Sequence, residues 1–121
     1  MTQHLATIHI KNLRLRTLIG MNPEELKKKQ DVIINLHLSY DASHATCNDT
    51  IQDALNYRSI TKRVIEFVEG HQFMLLETLV QDVLNLICDD PKIHHASVEI
   101  DKPHALRFAD SVSLKLSYQR H

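Results

Sequence analysis

One short connection between two strand-like runs, Asp101 to Ser113, carries a lysine, a histidine and an arginine: Lys102, His104 and Arg107. Such a cationic loop on a rigid scaffold suits an anionic small molecule, and loops are where binding and catalysis concentrate. The same charges also fit a solvated turn. Lys102 precedes Pro103, whose ring restricts the local backbone and so the direction of the lysine. A lysine beside carboxylates and partly removed from water can transfer protons; one at a solvent-facing strand end does not.

Glu77 falls in the first turns of a helix, roughly 20° around from Leu84 and at the border of the apolar stripe. A carboxylate there can grip two parallel N–H groups of a ligand, or simply complement the helix dipole. Tyr57 stands just ahead of another helix, as a proton donor or as a hydrophobic staple. Glu24 and Glu25 lie between two strands, where an acid can reach a cleft or keep a loop in water.

The elements that must hold these groups follow from periodicity. Ile8 and Ile10 alternate at even positions, Leu13 and Leu15 at odd ones, so the first strand, about Ile8 to Leu18, needs a bulge near Lys11-Asn12. Gly20 and Pro23 break it. Val32, Ile34, Leu36, Leu38 and Tyr40 set a second strand with one apolar face. Asp41 to Asp53 is polar and reads as a long connection. A helix capped by Ser59 carries Ile60, Val64, Phe67 and Val68 on one stripe and ends at Gly70. A second helix, about Phe73 to Ile87, presents Phe73, Leu76, Val80, Val83, Leu84 and Ile87, with Pro91 beyond its end. Ala96 to Ile100 and Val112 to Tyr118 alternate as two more strands.

The order β-β-α-α-β-β predicts an α+β domain over 1–121, with two helices on one face of a four-stranded antiparallel sheet. Half-polar strands in a 121-residue chain also predict burial of sheet edges by assembly.

Composition narrows the function classes. A formal net charge of -1 gives no field to attract nucleic acid or an anionic membrane. No apolar run approaches the roughly 20 residues of a membrane span. Met1-Thr2-Gln3-His4 lacks the layout of a secretion signal. Cys47 and Cys88 have no metal-type spacing and read as reduced thiols of a cytoplasmic protein, Cys88 near a helix end. Nine histidines are many, yet no HExxH or paired Cys/His pattern occurs, so no metal is expected. Phosphate-loop, dinucleotide and nucleophile-elbow motifs are absent.

Ile19-Gly20, Leu55-Asn56-Tyr57, Leu75-Leu76-Glu77 and Lys102-Pro103, in this order and spacing, resemble the dihydroneopterin aldolase family from about Ile8 to Tyr118. The resemblance implies the tunnelling fold (T-fold) of pterin-binding enzymes. The aldolase type typically carries Lys-Pro-Gly-Ala where this chain has Lys102-Pro103-His104-Ala105. The following Leu-Arg-Phe-Ala-Asp-Ser-Val-Ser, and Ile10 to Thr17, look like the family's epimerase branch, which inverts a side-chain carbon of 7,8-dihydroneopterin triphosphate.

The resemblance further implies site roles. Glu77, with Leu76, would hold the pterin through its N–H edge. Lys102 would serve in proton transfer. Tyr57 would come from a neighbouring subunit. Glu25, or Glu24 if the alignment slips by one, would arrange the polar network. His104 and Arg107 are candidates for the triphosphate, with Lys11, Arg14 and Arg16 behind them. No cofactor, nucleic-acid or membrane partner is implied. The implied assembly is a homo-octamer of two stacked four-membered rings.

Overall fold

The computed structural model describes residues 4–121. Met1 to Gln3, which open the segment read as lacking a secretion signal, lie outside the described residues. The elements are β1 (Leu5–Ile19), β2 (Gln30–Asp41), α1 (Ser43–Asn48), a 3-10 turn (Ile51–Asp53), α2 (Tyr57–Gly70), β3 (Gln72–Phe73), α3 (Leu76–Cys88), β4 (Ile93–Pro103) and β5 (Ser111–Gln119). β1, β2, β4 and β5 pair antiparallel in that order. β3 joins β1 in parallel, through Leu18↔Gln72 and Ile19↔Phe73.

The sheet order is therefore β3-β1-β2-β4-β5, five strands where sequence predicts four. Two residues cannot display an alternation, so β3 is invisible to pattern reading. It also corrects the second helix. Phe73 fits the helical stripe by spacing but belongs to β3, and α3 starts at Leu76 after an extended Leu75. Its buried stripe includes Leu79, fully buried, while Leu76 is half-buried.

The bulge is where the change of phase puts it. Pairing with β2 shifts register between Ile10 and Leu13. Asn12 takes φ 53, a left-handed conformation that asparagine tolerates better than most residues. The Asn35 side chain holds it, its Oδ1 accepting from the Asn12 backbone N–H at 3.0 Å and its Nδ2 donating to Asn12 Oδ1 at 3.2 Å.

Two further expectations need correction. The stretch from Asp41 to Asp53 is not a plain loop: it contains α1 and the 3-10 turn. Asn56, not Ser59, caps α2; its Oδ1 accepts from the Ser59 N–H at 3.1 Å, which makes Tyr57 the first helical residue. α2 does end at Gly70, but without a left-handed cap. His71 follows in extended conformation. Two of the carbonyls left free at its end find side-chain partners: Val68 O accepts from Thr17 Oγ1 at 2.6 Å, and Phe67 O lies 2.8 Å from His71 Nδ1.

The core lies between one sheet face and α2 and α3. Val32, Ile34, Leu36 and Leu38 of the central β2 are fully buried, each such side chain contributing about 1.5–3 kcal/mol. The opposite face is polar: Thr7 bonds Ser39 at 3.0 Å, and the His9 and His37 rings stack at 3.9 Å. No helix among the described residues is long and apolar enough to cross a membrane. Cys47 and Cys88 are free thiols; Cys88 closes α3, and partial burial pushes its pKa up.

Candidate active site

The strand directions bring several of the singled-out residues to one end of the sheet. β1 and β4 both finish there, β2 begins there, and β3 runs parallel to β1 so that α3 starts there. Gly20, Glu25, Glu77 and Lys102 are thus carried to a common end by three segments, the β1–β2 connection, α3 and β4.

The centre of this end is an ion pair. Lys102 Nζ lies 2.9 Å from Glu25 Oε2, and both side chains are largely withdrawn from water, 18% and 25% exposed. Lys102 is next to last in β4, opposite Val112 of β5. Glu25 comes from the loop between β1 and β2, where Asn22 Oδ1 accepts from the Glu25 N–H at 2.9 Å. That turn folds the glutamate back over Gly20. A Cβ on Gly20 would overlap the Glu25 carboxylate, and Gly20 sits at φ 139, which L-residues rarely adopt. Of the two adjacent acids, Glu25 is turned inward and Glu24 is exposed.

The charge state of this pair follows from its contacts. Lys102 holds the Glu25 carboxyl below its ordinary range, burial partly opposes this, and Gln30 and the Asn22 N–H add to the lowering. Gln30 Nε2 donates to Ile19 O at 2.6 Å and to Glu25 Oε2 at 3.4 Å. Gln30 escapes sequence reading: it stands two residues ahead of Val32, where the alternating run opens, and no motif distinguishes it. A resting Lys102–Glu25 pair of this kind offers a positioned ammonium, with donors left over, beside an ionised acid.

On the other side of β1 is an open groove of about 520 Å³, lined by Met21, Phe67, Phe73, Met74 and Leu75 among others. Gly20 separates the two features, its N–H donating to Phe73 O at 3.0 Å. Apolar walls of this size accommodate a flat ring system. Glu77 stands exposed in the first turn of α3, two residues past Leu75, and makes no hydrogen bond or ion pair among the described residues.

One candidate, Tyr57, is not brought to Lys102. Tyr57 is at the opposite end. Lys92, just before β4, binds the carbonyls of Gln52 and Ala54 at 2.8 and 3.1 Å, so the segment leading into Tyr57 lies at the start of β4. Lys102 is ten residues further along, a span of roughly 30 Å in a strand. Tyr57 is half-exposed there and lines a separate hollow on α2 with Thr61 and Ile65. Arg107 is exposed, its guanidinium 5.5 Å from the centre of the Phe108 ring. His104 opens the same loop at φ 64. Arg16 is tied to Asp31 at 3.4 Å and to Lys29 O at 3.2 Å, while Lys11 and Arg14 are exposed along β1. No group of three or more His, Cys, Asp and Glu able to hold a metal ion occurs among the described residues.

Known proteins match this chain over most of its length. A family model described as dihydroneopterin aldolase (FolB) covers residues 8–117. A dihydroneopterin triphosphate 2'-epimerase of Escherichia coli (strain K12) is 52% identical over 120 residues, 99% of this chain and 100% of the relative. Its counterpart in Pseudomonas aeruginosa is 51% identical over 116 residues, covering 96% and 94%. Among solved structures, E. coli dihydroneopterin aldolase in complex with neopterin superposes with a TM-score of 0.89 at 25% identity, covering 93% of this chain and 98% of that one. With its T-fold sheet, two packed helices and full-length relatives, this chain belongs to the dihydroneopterin aldolase family.

Proposed function

We propose that this protein is a dihydroneopterin triphosphate 2'-epimerase, converting 7,8-dihydroneopterin triphosphate to the dihydromonapterin form. The observation that carries this reading is the gap in likeness. Identity is 52% to an E. coli epimerase along its whole length, against 25% to the aldolase of the same species. The loop agrees with it: His104 occupies, at φ 64, the position where the aldolase pattern has glycine.

The proposed chemistry uses the groups at hand. Glu77 accepts two N–H groups of the pterin while the ring rests on the apolar wall beside Leu75 and Leu76. A base takes the proton of the 2'-hydroxyl, with Tyr57 bordering the side chain that is cleaved. The bond between C1' and C2' breaks, its electrons passing into the ring C=N bond, and C2' becomes the aldehyde of glycolaldehyde triphosphate. Lys102, held in place by its ion pair with Glu25, stabilises the oxygen that carries negative charge and exchanges protons through water. The aldehyde turns over within the site and is attacked on its other face. The re-formed C1'–C2' bond takes the electrons back, and the 2'-oxygen regains its proton. His104 and Arg107 bind the triphosphate, which holds the aldehyde during rotation.

Tyr57 belongs to this site only from a second copy, given its distance from Lys102 within one chain. Along β1 the edge from Leu5 to Thr17 is left unpaired by the short β3, and β5 is the other open edge. Joining β1 of one copy to β5 of the next closes a ring without free edges. The proposed assembly is two such four-membered rings, a homo-octamer, in the cytoplasm, where Cys47 and Cys88 remain reduced. The reaction needs no cofactor, nucleic acid or membrane.

A second reading, dihydroneopterin aldolase, is favoured by the combination of Tyr57, Glu25, Glu77 and Lys102, since the bond-breaking half is common to both reactions. Incubation with dihydroneopterin triphosphate, followed by stereochemical analysis of the pterin, separates them. The epimerase gives the monapterin configuration without free aldehyde. Release of 6-hydroxymethyl-dihydropterin with aldehyde as the main outcome would assign the aldolase instead.

A further inference from the structure

We infer that Gln30 is a positioning residue for this reaction: its side-chain amide aims the Glu25 carboxylate at Lys102 and keeps it there through turnover. The inference deepens the proposed function and rests on that reading for its kinetic part.

Gln30 is the first residue of β2 and is paired with Thr17 of β1, so it projects from the ordered end of the sheet. Its Nε2 has two acceptors, Ile19 O at 2.6 Å and Glu25 Oε2 at 3.4 Å. A flipped amide would set its oxygen against both acceptors, so the orientation is decided by its partners. Ile19 O is the carbonyl just before Gly20, over which Glu25 folds. One amide therefore ties the end of β1, the Glu25 loop and the Lys102 pair into one unit.

The residue type matters. Glu25 Oε2 receives Lys102 at 2.9 Å as well as Gln30, and Oε1 has only the Asn22 N–H at 3.5 Å. A neutral donor holds a carboxylate in place and favours its ionised form. A lysine or arginine at position 30 would compete with Lys102 for the acid. A glutamate would offer no donor to Ile19 O and would repel Glu25. The Asn22 turn fixes the Glu25 backbone, while the aim of its carboxylate rests on side-chain donors, and geometric errors of about 1 Å at a reacting centre can cost 10²-fold in rate.

Gln30→Met removes both donors at nearly constant volume. The expected result is a fall in kcat on the order of tenfold, with KM for the pterin triphosphate changed much less, as befits a group acting on the transition state. In the resting variant, without substrate, carbon-13 NMR of the glutamate carboxyls should place the Glu25 titration at higher pH than in the wild type. If the variant does not fold, the wild type still decides: the Gln30 side-chain amide signals should shift in step with the Glu25 titration. An unchanged Glu25 titration in Gln30→Met, or Gln30 amide signals indifferent to it, would overturn the inference. Absence of turnover in the wild type on either pterin substrate would instead defeat the proposed function, and the titrations would still settle what Gln30 does.

Discussion

Gly20 and Glu25 show how one missing side chain sets the position of a charged one. The carboxylate occupies the space where a Cβ would stand, and the backbone there takes φ 139. Gly20→Ala should therefore displace Glu25 from Lys102 and strain the loop, costing about 1–3 kcal/mol of stability. Turnover should fall along with the loss of the ion pair. Thermal unfolding and the Glu25 titration measured on the same variant check it; an alanine that left both unchanged would mean the loop has another resting place. At this scale the sequence was partly legible. Lys102, Glu25 and Glu77 could be singled out from residue type, and Gly20 as a chain break. Residue type alone does not choose between Glu24 and Glu25; the family resemblance favours Glu25, and the ion pair with Lys102 depends on the turn that Asn22 closes.

Among the elements, α2 and β2 offer independent tests. The Asn56 side chain caps α2 through the Ser59 N–H. Asn56→Ala should lower stability by about 1 kcal/mol, read as a drop of several degrees in Tm, whereas Ser59→Ala should cost much less. The converse result would restore Ser59 as the cap. On β2, burial first, then His9 and Lys115, lower the pKa of His37, with Glu99 opposing. His37 Nδ1 is enclosed without a hydrogen-bond partner, and the ring stacks on His9. A histidine depressed in the folded state binds its proton more readily once unfolded. Its stabilising effect is therefore complete above the ordinary value of 6.5 and fades as pH falls below it. Tm should drop between pH 7.5 and 5.5, and His37→Gln should flatten that dependence. An equal slope in the variant would place the acid sensitivity elsewhere.

For the whole molecule, the separation of Tyr57 from Lys102 has a direct consequence. If sites form between copies, Tyr57→Phe and Lys102→Ala chains, each weakened by about 10² or more in rate, should recover activity when mixed and reassembled. Some mixed interfaces would then contain both intact residues. Light scattering should report a mass that is a multiple of 14.0 kDa. A fully active species of 14.0 kDa would rule out a shared site.

From residues alone came the two amphipathic helices, the four long strands and the phase change near Lys11-Asn12, because burial of one face imposes a period that the order of apolar residues displays. The family-like loop from Lys102 to Ser113 was equally visible. Only the tertiary structure decided what depends on contacts distant in sequence. The two-residue β3 exists through backbone pairing with Leu18 and Ile19. Gln30 matters because the chain returns beside Ile19 and Glu25. Glu25 meets Lys102 across 77 positions of chain, since strand directions, which no local pattern encodes, bring the ends of β1 and β4 to the same side.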